Sequence, residues 1–180
     1  MEETGKSYYK DLYQVAAAAT SARNPEDVLL SIVENITQCM KAKGCALMLL
    51  TWDRKLLLHS VCCGLSDSYI RKGPLTVDES IRKALEGEPV VILDVTQDER
   101  IQYPESARKE GIKSMLTVPV TLRDENIGVL RVYTSEPRQF SEDDIYFVRA
   151  VAHLGAIALD NAKRYDRLQE EYETFRARTF

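Results

Sequence analysis

The side chains best suited to redox or metal chemistry are four cysteines and two histidines. The sequence has no C-x-x-C motif, and neither His59 nor His153 has zinc-finger spacing from the cysteines. Cys62 and Cys63 are adjacent, so in a strand their side chains point to opposite faces. This pattern favours reduced cysteines packed as small apolar side chains in a reducing compartment. Redox sensing by Cys62 or Cys63 is the alternative.

Acid–base and phosphate chemistry find little support in the sequence. The carboxylate pairs 98–99 and 143–144 are made of adjacent residues, whose side chains diverge. No glycine-rich phosphate loop is present, and no Ser-His-Asp grouping is suggested. A histidine inside a strand or a long helix is more typical of a core position than of a catalytic base. The sequence therefore predicts a protein that is not an enzyme.

Composition limits the classes of partner. The chain has 180 residues and a formal net charge of -4, which argues against the basic face that nucleic acids require. No run of about 18 apolar residues could span a bilayer, and the polar N-terminus lacks a signal peptide. We therefore expect a cytoplasmic protein that binds neither nucleic acid nor membranes.

The elements that would position a site begin with two helices. Apolar residues at three- and four-residue steps predict a first helix over 6–22. Asn24 and Pro25 are favoured at the N-cap and first position of a second helix, which Gly44 is expected to end. The segment 45–63 then predicts two strands joined as a hairpin.

Three more strands are predicted over 90–95, 114–122 and 127–134. A capping box of Thr76 with Glu79 predicts a short helix between the hairpin and the third strand. Strands joined in hairpins and helices at both chain ends indicate an α+β fold with a largely antiparallel sheet.

The last helix has the clearest start signal, with Ser141 as N-cap and Asp144 at the capping-box position. Apolar residues from Val151 to Phe175 alternate steps of three and four, with the polar Asn161 among them. This seam fits either a coiled-coil arm that pairs two chains or an amphipathic helix folded back on its own domain.

Six stretches in this order resemble the GAF domain family. They are 25–29, 84–92, 114–120, 127–130, 140–144 and 156–162. The resemblance implies a six-stranded antiparallel sheet, with terminal helices on one face and a ligand cavity under middle helices and loops on the other. Because only five strands are predicted from the residues, the sixth is expected between Gly64 and Gly73.

The resemblance leaves the ligand open, because GAF domains bind many small molecules and some serve mainly in dimerisation. The Asn-Lys-Phe-Asp-Glu constellation of cyclic-nucleotide binders is absent, and the segment 96–111 has no cysteine for a bilin. The cavity-loop cysteines of free methionine sulfoxide reductases are also missing after the third helix. No cofactor is therefore assigned.

The sequence predicts an N-terminal helical arm (1–23), a GAF domain (24–165) and a signalling-helix extension (166–180). We expect a homodimeric sensor of an unidentified small molecule that acts on a downstream signalling protein. The alternative is a structural dimerisation module without a ligand. The polar and aromatic candidates for the cavity wall are Tyr69, Ser80, Tyr103, Arg108, Thr117, Arg131 and Tyr133. A solvent-facing Arg131 is the competing interpretation of that residue.

Overall fold

The fold is an α+β sandwich built on one six-stranded sheet. A computed structural model describes residues 8–21 and 25–179 of the chain. Its helices are α1 (Tyr9–Ser21), α2 (Pro25–Cys39), α3 (Asp67–Ile70), α4 (Glu79–Leu85), α5 (Pro104–Lys109) and α6 (Glu142–Thr179). Its strands are β1 (Gly44–Leu50), β2 (Leu56–Cys63), β3 (Leu75–Thr76), β4 (Val90–Ile92), β5 (Ser114–Leu122) and β6 (Glu125–Thr134). Within these residues, no helix is both long and apolar enough to cross a membrane.

The strands lie in the order β3-β2-β1-β6-β5-β4, and every neighbouring pair is antiparallel. The long β5 and β6 form a hairpin, and β1 pairs with β6 to complete the centre of the sheet. Pro119, which has no N–H to donate, lies beyond the part of β5 that β4 pairs with, Met115–Thr117. The missing N–H of Pro119 therefore costs β5 no hydrogen bond to β4.

The main core lies between one face of the sheet and helices α1, α2 and α6. We call this the helix face. Alternate strand residues such as Leu47, Leu116 and Leu130 pack there against Ile32 of α2 and Val151 of α6. Tyr8 also stacks on Phe147, with ring centroids 4.2 Å apart, so the start of the first helix is held against α6.

The start of α6 forms as predicted. The Ser141 hydroxyl accepts a hydrogen bond from the Asp144 amide, and the Asp144 carboxylate accepts one from the Ser141 amide. The same carboxylate accepts hydrogen bonds from the Tyr8 hydroxyl and from Arg138. This capping box therefore also joins α6 to the residue preceding α1.

Three local predictions were wrong. Gly44 does not end α2 but begins β1, because α2 ends at Cys39 and Lys41 takes a positive φ of 49°. The N-cap of α4 is Asp78 rather than Thr76, since its carboxylate accepts from the Ile81 amide. The sixth strand is β3, which lies after Gly73, whereas the segment before it contains α3. The predicted N-cap Asn24 lies outside the described residues.

Candidate functional site

The face of the sheet opposite the terminal helices, which we call the cavity face, is covered by α3, α4, α5 and the loops between them. A small, partly open pocket lies there between the sheet and the segments 69–75 and 100–103. Its lining residues are Tyr69, Lys72, Leu75, Ile92, Arg100, Ile101, Gln102, Tyr103, Met115 and Arg131. The free space at its centre, about 20 Å³, is enough for about one water molecule.

Arg131 reaches this pocket from the middle of the sheet. It pairs with Ala46 of β1 and Thr117 of β5, so its side chain lies on the cavity face while Leu130 and Val132 face the helices. The residue is only 8% exposed, and its Nε donates to the Thr117 hydroxyl over 2.9 Å. The structure thus places Arg131 in the interior rather than in solvent.

Lys72 brings a second cationic group to the same pocket. Its Nζ lies 3.8 Å from the centre of the Tyr69 ring and donates to the Tyr69 carbonyl oxygen over 3.1 Å. The same atom lies 5.8 Å from the ring centre of Tyr103. Burial, followed by the nearby charge of Arg131, lowers the pKa of Lys72 from its ordinary 10.5 to about 8.

A β-bulge turns His59 toward these cations. The register between β1 and β2 shifts after Leu47, so His59 pairs with Met48 and shares a face with Cys62. His59 Nε2 lies 3.4 Å from Lys72 Nζ. Burial first, then the charges of Lys72 and Arg131, lower the pKa of His59 to about 4. The imidazole is therefore neutral at pH 7.

The pocket has an excess of positive charge. Among the described residues, the lining contains no carboxylate and neither Arg131 nor Lys72 has an ion pair. Glu110, whose charge acts on Lys72, is itself engaged, since it lies 3.3 Å from Lys43 Nζ and accepts from the Ser66 amide and hydroxyl. Arg100, at the rim, is neutralised by Asp98, whose carboxylate accepts from Arg100 Nε over 2.8 Å.

Hydrogen bonds of Tyr103 and Gln102 hold the segments over the pocket together. The Tyr103 hydroxyl donates to the Pro74 carbonyl oxygen over 2.8 Å, and Gln102 accepts from the Thr76 amide over 2.9 Å. Gly73 has φ of 122°, and a Cβ there would lie 2.9 Å from the Tyr103 hydroxyl. A glycine is therefore needed for Tyr103 to close over the pocket.

The structure brings most of the predicted candidates together. Tyr69, Tyr103 and Arg131 line the pocket, and Thr117 holds the Arg131 guanidinium. Tyr133 is fully buried beside them and packs edge-to-face on Tyr69, with ring centroids 5.8 Å apart.

Two candidates lie elsewhere or are not described. Arg108 is exposed on α5, where it pairs with Glu105 over 2.7 Å, and it does not line the pocket. The side chain of Ser80 lies outside the described residues.

Sequence reasoning missed Lys72, His59 and Gln102. Lys72 and Gln102 lie in segments without periodic hydrophobicity, so only the fold brings them to the pocket. His59 is aimed by the bulge, which strict alternation of strand side chains cannot show.

The cysteines show no sign of activation. All four thiols are free, and Cys45 is fully buried. Burial raises the pKa of Cys39 to about 11 and also raises the pKa values of Cys45 and Cys62. A raised pKa slows thiolate chemistry. In the described part of the chain, no cluster of three His, Cys, Asp or Glu residues could hold a metal ion.

A sequence model of the GAF domain family matches residues 22–160, which include the whole sheet, helices α2 to α5 and the first half of α6. The chain belongs to the GAF domain family. This confirms the family inferred from the six sequence stretches.

One relative of this GAF domain is the methyl sulfide methyltransferase-associated sensor of Methanosarcina acetivorans. It is 26% identical over 182 residues, covering 97% of this chain but only 18% of the relative's own length. The chain thus corresponds to a small part of that sensor.

Two solved structures show the same fold at low sequence identity. The GAF domain of a phosphoenolpyruvate-protein phosphotransferase from Coxiella burnetii is 20% identical, with a TM-score of 0.76 over 88% of this chain and 95% of that one. The free methionine-R-sulfoxide reductase of Neisseria meningitidis, solved with its substrate, is 14% identical, with a TM-score of 0.73 over 92% and 98%.

Proposed function

We propose that this GAF domain is a small-molecule sensor that has no catalysis of its own and signals through its terminal helices as a homodimer. Its sensory class is supported by the family match and by the sensor-named relative. The observation that carries the ligand-binding proposal is the buried charge of Arg131 in this pocket. Among the described residues, its side chain has only the neutral Thr117 as a hydrogen-bonding partner. Such a charge is costly in an interior unless something compensates it.

A short path connects the pocket to the helices. Arg131 lies on β6 between Leu130 and Val132, and these neighbours pack on the helix face with residues of α6 such as Val151. A ligand that moves β6 at Arg131 therefore acts on α6 through one strand. Binding that favours one arrangement of α6 shifts the population of helix arrangements.

The proposed dimer contact is the surface of α1 and α6. Tyr9, Tyr13 and Tyr146 are 84%, 74% and 66% exposed, and Tyr9 and Tyr146 line one groove between the helices. Exposed aromatic side chains grouped in this way are typical of contact surfaces. In this proposal the domain spans 24–165 and the extension 166–180 strengthens the pairing.

The downstream partner in this proposal is a signalling protein or a further domain that α6 contacts. Four free thiols fit a reducing compartment, so we place the protein in the cytoplasm. Sharing a fold with a reductase at 14% identity is no reason to expect the same reaction here. The raised pKa values of Cys39, Cys45 and Cys62 support a domain without redox catalysis.

A thermal-shift screen tests the sensor. A ligand at about 100 times its dissociation constant adds about 2.7 kcal/mol of stability, or about 5–10 °C for a domain of this size. We expect at least one hit of that size among nucleotides, amino acids and small anions, and it should shrink in Arg131→Met. A compound that stabilises wild type and Arg131→Met equally would support the sensor function but place its binding site away from Arg131.

The competing function is a dimerisation module with a filled cavity. Its support is the small free space at the pocket centre, about 20 Å³. A screen without any stabilising compound, together with a stable dimer, would favour this module over the sensor.

Light scattering tests the dimer and should give about twice the 20.5 kDa chain mass. Removal of 166–180 should weaken the dimer without unfolding the core. A monomer at every concentration would contradict both functions.

A further inference from the structure

We propose that the pocket binds a small organic carboxylate, held by Arg131 and Lys72 with its apolar part against the sheet. This inference rests on the proposed sensor function and names the class of its ligand. Arg131 and Lys72, which line the interior of the pocket, have no acidic partner among the described residues. An anionic ligand would supply the missing negative charge.

The chemistry of Arg131 indicates an oxyanion. Its Nε is already held by Thr117, which fixes the plane of the guanidinium. Its terminal nitrogens have no hydrogen bond within the described residues, although the side chain is nine-tenths buried and lines the pocket. A fixed guanidinium with unused N–H groups matches two oxygens of one carboxylate.

Lys72 is placed to complete the anion site. It now uses the Tyr69 carbonyl oxygen and the Tyr69 ring as substitutes for an anion. Both contacts are weaker than an ion pair inside a protein and can be exchanged for one. Because Lys72 follows the short helix α3, its side chain can swing without disturbing the sheet, and this movement would also enlarge the pocket.

The remaining wall favours a carboxylate with a short apolar part over an inorganic oxyanion. Arg100 and Gln102 also line it, but Asp98 and Thr76 already engage their polar groups. The other side chains, those of Leu75, Ile92, Ile101 and Met115, are apolar, and the rings of Tyr69 and Tyr103 add apolar surface. Phosphate or sulfate would have oxygens facing these groups without donors. The free space holds about one water molecule, so even a short carboxylate enters only when Lys72 swings aside or the segments over the pocket open.

The same geometry predicts a pH dependence. The charged and titratable groups around Lys72 are Arg131 on β6, His59 and Cys62 on β2, Tyr69 on α3, Tyr103, and the more distant Glu110. With its pKa lowered to about 8, the free site loses the Lys72 charge as pH rises through that value. Carboxylate binding should therefore weaken severalfold between pH 7 and pH 9.

The test is calorimetric titration of the full chain with propionate, butyrate and benzoate, each matched by its neutral amide. We expect at least one carboxylate to bind at pH 7 and its amide to bind at least tenfold more weakly. Arg131→Met should weaken binding at least tenfold and Lys72→Met severalfold. Arg108→Met, the loss of an equal charge outside the pocket, should leave binding unchanged.

Three results would overturn this inference. They are equal binding of amide and carboxylate, binding unaffected in folded Arg131→Met or Lys72→Met, and inorganic phosphate binding more tightly than every carboxylate. Circular dichroism establishes that each variant is folded. If the screen finds only neutral or cationic compounds and these bind at this pocket, the carboxylate assignment fails while the sensor function stands. If no compound of any class binds, the sensor function itself fails.

Discussion

The two faces of one sheet have opposite character, although the same strands supply both. On β6, Leu130 packs into an apolar core against α2 and α6, while the next residue, Arg131, enters a pocket where no described residue is its acidic partner. The helix face carries one continuous apolar cluster, whereas the cavity face is divided into two smaller ones. Most of the apolar burial therefore lies on the helix face, and the divided cavity face fits the proposal that a ligand binds there.

The largest effect is expected on the helix face. Ile32 on α2 is 1% exposed, so Ile32→Ala should lower the free energy of unfolding by about 2–5 kcal/mol through lost burial and a new cavity. Leu30 on the same helix is 41% exposed, and Leu30→Ala should cost less than about 1 kcal/mol. Urea unfolding measures both variants. Equal costs would contradict the assignment of the core to this face.

A smaller loss of stability is expected from changes at Asp144, whose hydrogen bonds join α6 to Tyr8 and Arg138. Burial would raise the pKa of this carboxyl, but hydrogen bonds from Tyr8, Ser141 and Arg138 outweigh it and hold the pKa below its ordinary value. Asp144→Asn should therefore cost about 2 kcal/mol at pH 7, since hydrogen bonds to a charged group are lost.

The pH dependence of that cost has a definite sign. A lowered pKa contributes stability above the ordinary carboxyl value of about 4 and loses it as the pH falls through the folded pKa. The difference between wild type and Asp144→Asn should thus shrink as the pH falls below about 4. The exposed neighbour Asp143 provides the control, because Asp143→Asn should change stability by less than about 0.5 kcal/mol. A constant difference at every pH would rule out the charged form as the cause.

The helix face was largely predictable from the sequence because its signals are local. The preference of Pro25 for the first helical position located the start of α2, and the capping residues Ser141 and Asp144 located the start of α6. The strand β3 was misplaced because it has only two residues, too few for alternation to be visible. It forms because β2 offers it an edge to pair with.

The cavity face was predictable only in part because its geometry depends on long-range contacts. Arg131 is a charged residue within an apolar strand, but the sequence alone does not determine which face of the sheet its side chain lies on. The pairing of β6 with its neighbouring strands decides this. Lys72 and Gln102 reach the pocket from loops, and their positions depend on contacts such as that of Tyr103 with Pro74. His59 depends on a one-residue bulge, a feature without a signal in this sequence.

The most direct test of this account compares unfolding free energies without any ligand. If Arg131 is kept for a ligand, its buried charge lowers stability, and replacing it together with Thr117, its hydrogen-bonding partner, should remove that cost. We predict that Arg131→Met with Thr117→Val is more stable than wild type by about 1 kcal/mol, while Arg108→Met is unchanged. A double variant less stable than wild type would contradict the account, because Arg131 would then serve the fold.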